Sequence, residues 1–292
     1  MSGGILLSRR TFLQATALGT TALAVSAAAE QVQTSGLIDT NVSVGAWPFR
    51  HHRLTSTSAL VEKLRGHGVT EAWASSFEAL LHKDISSVNA RLAEECGQDA
   101  AGLLVPIGAI NPMLPGWEDD LRRCAEMHRM PGIRLHSNYH GYKLSDPVFE
   151  RLLTSATELG LFVQIAIIME EERTIHPLVN VSPVDTVPLI DLLKVNPRAR
   201  VQLLNAFRTV KGEAVLKLAA AGVRFEIAML EGVNGVANLL EKMPLESLCF
   251  GSHAPFFYFE SAKLKLQESE LGDAQHRAVS FENARRFRQI AH

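Results

Sequence analysis

The residues able to do chemistry in this 292-residue chain recur at one kind of place, the ends of short β-rich runs. The first run closes in Asp39-Thr40-Asn41-Val42-Ser43 and continues into Gly45-Ala46-Trp47-Pro48-Phe49-Arg50. The fourth closes in Arg134-Leu135-His136, followed by Ser137-Asn138-Tyr139-His140. Asn205 ends the sixth, Glu226 the seventh, and Ser252-His253-Ala254-Pro255 the eighth. Imidazoles move protons near neutral pH, guanidinium groups hold carboxylates, and imidazole–carboxylate clusters bind divalent metals. His253, at a strand end with little packing reason for an imidazole, is expected to be a general base. His136 and His140 are expected to position a substrate or bind a metal. Glu226, expected as a catalytic carboxylate, either points inward at the mouth or pairs with Arg134, because a lone buried carboxylate is costly. Arg134 and Arg173 are expected to hold an anion, with Asn41, Trp47, His176 and Asn205 as further substrate contacts.

Plainer readings stand beside these. Asn41 and Ser43 suit backbone hydrogen bonding in a turn. Charges in Met169–Pro177 suit a solvated face. Pro255-Phe256-Phe257-Tyr258-Phe259 either walls a pocket for a flat or apolar substrate or anchors the next helix.

The elements that would carry these residues alternate. Runs rich in β-formers occur at Leu37–Val44, Thr70–Ser75, Leu103–Ile110, Gly132–His136, Leu161–Ile167, Arg200–Leu204, Val223–Ala228 and Ser247–Ser252. Segments of helical spacing lie between them, such as Leu152, Ala156 and Leu159, or Leu189, Leu192 and Leu193. Ser145-Asp146-Pro147 signals a helix start, while Gly160 and Gly222 signal helix ends. Eight strand–helix repeats in one domain over 36–292 predict an α/β fold, a (β/α)8 TIM barrel, with Asp273–Ala291 as a closing helix. A doubly wound sheet is the rival, yet no GxGxxG or Walker loop follows the first strand. In a barrel, the strand ends listed above share one mouth, which would gather His136, His253, Asn41 and Glu226.

Composition sets the outer bounds. With 29 basic and 31 acidic residues the net charge is −2, which argues against a nucleic-acid footprint. Three cysteines and no CxxC exclude a disulfide framework and the usual zinc or redox clusters. A Cys96–Cys124 bridge would need two successive helices to meet, and Cys249 suits a buried strand. Residues 1–29 read as an export leader. Ser8-Arg9-Arg10-Thr11-Phe12-Leu13-Gln14 is a twin-arginine (Tat) pattern, Ala15–Ala29 is mildly apolar, and Ala27-Ala28-Ala29 offers a cleavage site. The expected setting is therefore the periplasm or another exported location. The mature chain should have no membrane span, a small-molecule partner, and room for a homo-oligomer.

Four motifs give the chain a likeness. Ile38-Asp39-x-Asn41-x-Ser43-x-Gly45, Gly132-Ile133-Arg134-Leu135-His136, Phe250-Gly251-Ser252-His253-Ala254-Pro255 and Asn283-Ala284-Arg285-Arg286 resemble, in order, stretches of the amidohydrolase-related family of metal-dependent barrel hydrolases and decarboxylases. The resemblance implies a barrel, a zinc-like divalent metal, and hydrolysis or decarboxylation of a small carbonyl- or carboxylate-bearing substrate. It also implies ligand positions that this chain fills differently. Asn41 and Ser43 stand where the family has two histidines, Ala166 and Asn205 where it has two more, and His253 where it has an aspartate. Metal binding is left undetermined by this pattern. A re-made active site is expected, with a non-catalytic ligand-binding barrel as the alternative.

Overall fold

The computed structural model describes Met1 and residues 36–289, apart from residues 53, 55, 100, 101 and 172. The expected twin-arginine leader lies, apart from Met1, outside the described residues. Among the described residues nine hydrogen-bonded strands realise the eight expected runs: β1 Leu37–Val44, β2 Val69–Ser76, β3 Leu104–Pro106, β4 Gly108–Ala109, β5 Gly132–Leu135, β6 Phe162–Ala166, β7 Val201–Leu204, β8 Arg224–Glu226 and β9 Leu248–Cys249. β3 and β4 are one run interrupted at Ile107, whose N–H turns to Ala74 O at 2.8 Å.

All neighbouring strands pair in parallel and in chain order, β1 to β3 and then β4 to β9. The ends join directly. Thr40 N–H bonds Phe250 O at 3.0 Å, Ser43 N–H bonds Ala254 O at 2.9 Å, and His253 N–H bonds Asn41 O at 2.8 Å. Unreversed order with joined ends is a closed (β/α)8 barrel; a doubly wound sheet would change direction partway.

Helices cover the outside because their apolar residues fall on one stripe. In Pro147–Glu158 the buried positions are Phe149, Leu152, Leu153 and Ala156, the 3.6-residue repeat of an amphipathic helix. Pro147 occupies its first turn as predicted. Asp146 does not cap the helix with its side chain; Oδ2 takes Lys143 N–H at 2.8 Å instead. Gly160, at φ +71, lets the chain reverse into β6.

The closing helical run comprises Asp273–Arg277, a π-helical turn at Ala278–Glu282, and Asn283–Arg288. Phe281, Ala284 and Phe287 pack with Ile38, Trp73, Phe162 and Cys249. Ile38 and Phe162 begin their strands, so this cluster plugs the amino-terminal end and leaves the opposite end for chemistry. Cys249 is buried as expected. Cys96, Cys124 and Cys249 are all free, and no Cys96–Cys124 bridge forms.

Candidate active site

A polar layer crosses the barrel beneath the mouth. Gln164 Nε2 donates to Thr40 O at 2.7 Å and to Gln202 Oε1 at 2.8 Å, and Gln202 Nε2 donates to Thr40 Oγ1 at 3.0 Å. Arg134 lies in this layer, 2% exposed. Its Nε donates to Gln164 Oε1 at 2.9 Å, one terminal nitrogen to Val42 O at 2.9 Å and Ser43 Oγ at 3.4 Å, and the other to Trp73 O at 3.2 Å. Burial lowers its pKa to about 9, still charged at neutral pH. The expectation that Arg134 holds a substrate anion is corrected by these bonds: its donors are committed to the barrel wall.

Above this layer, residues distant in sequence meet. Asn41 Nδ2 donates to Asn205 Oδ1 at 2.9 Å and to Glu226 Oε1 at 3.2 Å. Glu226 Oε1 also receives Asn205 N–H at 2.6 Å, and Oε2 receives Ala228 N–H. Glu226 thus points inward and makes no direct pair with Arg134. Burial raises its pKa to about 7, against the pull of the backbone donors from Asn205 and Ala228. Asp39 is likewise raised to about 6 by burial, while Ser252 donates to it from both backbone and hydroxyl. The β1 ladder slips between Asp39 and Val42, so strict alternation fails where the chain enters the mouth.

Asn205 and His253 both follow their strands in the left-handed region, at φ 57 and φ 58. Such backbone in non-glycine residues is uncommon and clusters at functional sites. His253 Nε2 donates to Met169 O at 2.7 Å, which fixes the neutral ring with its lone pair on Nδ1. Asn205 Nδ2 lies 3.4 Å from the same nitrogen and donates to Ile168 O at 2.8 Å. Buried Nδ1 of His253 has no partner. Burial lowers the His253 pKa to about 3, partly offset by the Met169 carbonyl.

His136 follows β5 beside Arg134 and is 1% exposed. Its Nδ1 is unpartnered, and burial, then His140, Arg134 and His253, hold its pKa well below the usual imidazole value. His140 lies on the next helical turn, ring centroids 6.1 Å apart. Its Nε2 donates to Ala79 O at 2.9 Å, leaving Nδ1 as a second buried lone pair. Neutral imidazoles with free Nδ1 atoms are therefore the reactive groups on offer.

Aromatic residues roof the mouth. Trp47 is 3% exposed and packs against Phe49, Phe77, Tyr139 and Phe256. Its Nε1 donates to Glu170 Oε1 at 3.0 Å, and Phe256 stacks on His253 at 5.1 Å. Two predicted contacts lie elsewhere. Arg173 is exposed and pairs with Glu171 at 2.8 Å. Exposed His176 accepts Leu178 N–H on Nδ1 and packs on Phe49 at 5.0 Å, outside the roof. Neither reaches the imidazoles, because their loop folds outward over solvent.

A zinc-type centre does not fit these residues. Three strong ligands are usual, and among the described residues no group of three or more His, Cys, Asp or Glu could hold a metal ion. His253 spends Nε2 on Met169, His140 spends Nε2 on Ala79, and Asn41 and Asn205 bond each other. Sequence reasoning missed Gln164, Gln202 and His52. The two glutamines carried a signal, a long polar side chain within an apolar strand.

The family model described as amidohydrolase matches residues 48–181. No curated protein matches the sequence. Among solved structures, 2,6-dihydroxybenzoate decarboxylase from Rhizobium aligns at TM-score 0.67 and 12% identity, over 87% of this chain and 98% of that one. The 5-carboxyvanillate decarboxylase of Sphingomonas paucimobilis aligns at 0.67 and 14% identity, over 88% and 99%. IDCase from Metarhizium anisopliae aligns at 0.64 and 16% identity, over 83% and 81%. At these identities the structures speak to fold alone. Family match and closed barrel agree: residues 48–181 are similar to the amidohydrolase family, and the chain shares the (β/α)8 fold of these decarboxylase structures.

Proposed function

We propose that the chain is an enzyme that hydrolyses or decarboxylates a small carbonyl- or carboxylate-bearing molecule at the carboxyl-terminal mouth, using imidazoles in place of a metal. The observation that carries this reading is the set of unpartnered Nδ1 atoms on His136, His140 and His253, all buried. A buried polar atom without a partner costs roughly 1–3 kcal/mol, a cost that a bound substrate group removes.

His136 is the acid–base group in this reading, since its Nδ1 is free and its ring follows a barrel strand. Hydrolysis would have it take a proton from water, while decarboxylation of the acid would have it take the carboxyl proton and return that proton to the carbon as CO2 leaves. His253, its Nε2 held by Met169, presents one orientation of its lone pair to the same reaction. Asn41 and Asn205 shape the wall, and the Trp47 roof excludes water. The test is a panel of hydrolase and decarboxylase substrates against the wild type and His136→Ala. Turnover by the wild type, lost in the variant, supports the reading; equal rates overturn it.

The mutual saturation of Asn41, Asn205 and Glu226 favours one rival, a barrel that binds a ligand without converting it. That reading predicts thermal stabilisation by panel compounds and no product. Export through the twin-arginine route belongs to the same proposal and rests on Arg9 and Arg10. Replacing both with lysine should retain the protein in the cytoplasm; unchanged fractionation overturns export.

A further inference from the structure

Beside the Trp47 roof lies a cavity of 460 Å3. Arg50, His52, Lys63, Phe256, Phe257 and Tyr258 line it, with Arg50 and His52 packed on Phe256. Its size falls in the range of small-molecule sites, roughly 300–1,000 Å3. We propose that this cavity binds a flat anion, a planar ring bearing a carboxylate, with the acid group on Arg50 and His52 and the ring against the aromatic wall.

Charge and partner accounting support the acid end. Lys63 is neutralised by Glu260 at 2.6 Å, so among the described Lys and Arg residues that line the cavity Arg50 is the cation left to it. Its guanidinium lies 5.0 Å over the Phe256 ring, and among the described residues its ion-pair partner is Glu170, 3.5 Å away. Charge-assisted hydrogen bonds run at about 2.7–2.9 Å, so the Arg50 fork has donors to spare for a carboxylate. His52 is 7% exposed, and its Nε2 has no partner. Stacking near Phe77 at 5.9 Å and edge contact with Phe256 at 4.8 Å hold that ring in place.

The ring end follows from the aromatic lining. Tyr258 is 69% exposed, and a flat ligand laid against it would bury apolar area on both rings. Phe256 is shared: the ring that walls this cavity also stacks on His253. The cavity is thus separated from the imidazole mouth by one side chain. The proposal does not rest on turnover, because the cavity binds whether or not the mouth is catalytic.

The test titrates benzoate and benzamide into the full chain, the Arg50→Met variant and the His136→Ala variant. Benzoate should bind at least about ten-fold more tightly than benzamide, a difference that charge on Arg50 accounts for. Arg50→Met should remove that preference, and His136→Ala should leave it intact. Equal affinity for the two probes overturns the proposal, as does loss of benzoate binding in His136→Ala with none in Arg50→Met. Diffraction from wild-type crystals holding 4-bromobenzoate decides the matter without a variant. Bromine between Arg50 and Tyr258 supports the site, and bromine only beside His136 overturns it.

Discussion

Asn41 and Glu226, 185 residues apart in the chain, meet through a 3.2 Å hydrogen bond, and the same carboxylate oxygen takes the Asn205 N–H. Three strands are thereby tied together at the mouth by one buried acid, where the family resemblance implies a metal. Above about pH 7, where the acid is charged, its oxygens accept only from N–H groups, so an amide in its place would set donor against donor. Glu226→Gln should destabilise the fold by about 1–3 kcal/mol in urea denaturation.

The same variant changes how stability depends on pH. Burial raises Glu226 from 4.5 to about 7 and Asp39 from 3.8 to about 6. The folded chain therefore keeps protons that the unfolded chain has released. That contribution is full below the unfolded values and is lost as pH climbs through the folded ones. Buried His136 and His253 act in the opposite sense: their depressed pKa values make stability grow as pH rises towards the unfolded value of 6.5. With Glu226→Gln a falling contribution is gone and the rising ones remain. Stability should climb more steeply between about pH 4.5 and 7 in the variant than in the wild type. Parallel curves would show that Glu226 is not raised.

Gly251 allows this arrangement by having no side chain. A Cβ there would stand 2.7 Å from Glu226 Cβ and 2.9 Å from its Oε2. Gly251→Ala should cost about 1–3 kcal/mol through overpacking. It should also displace Glu226 and so disturb Asn41 and Asn205, visible as amide shifts far along the sequence from residue 251. A neutral substitution would mean that the acid has room to move.

The roof is tied down at Glu170. Glu170→Ala removes the acceptor of Trp47 Nε1 and the oxygen facing Arg50 at 3.5 Å. Trp47 fluorescence should become more open to acrylamide, measured against a Trp47→Phe blank that subtracts Trp73 and Trp117. Unaltered quenching would show that packing on Phe77 and Phe256 alone holds the indole. Arg173→Ala, by contrast, should leave turnover and the urea midpoint unchanged, as expected of an exposed ion pair.

The barrel was legible in the sequence because parallel strands buried on both faces read as apolar β-rich runs separated by helical repeats. Each observed strand coincides with or falls inside one of the eight runs, except β2, which extends one residue beyond Thr70–Ser75 at each end. Strand-end location also pointed to Asn41, His136, Asn205, Glu226 and His253. What sequence could not convey is which donors are already spent. Arg134 and Arg173 read alike as cations near a mouth, yet one is bonded within the wall and the other points to solvent. Tautomers were equally hidden, since the Met169 and Ala79 carbonyls that set them lie on other loops.

The central claim is chemistry by buried neutral imidazoles at a mouth whose residues do not fit a metal. The most direct measurement is the turnover rate of a productive panel substrate before and after exhaustive chelation, with bound metal counted in the same samples. The account predicts an unchanged rate at far less than one metal per chain, and a loss of about 100-fold or more in His136→Ala. A rate abolished by chelation and restored by added zinc or manganese would contradict it.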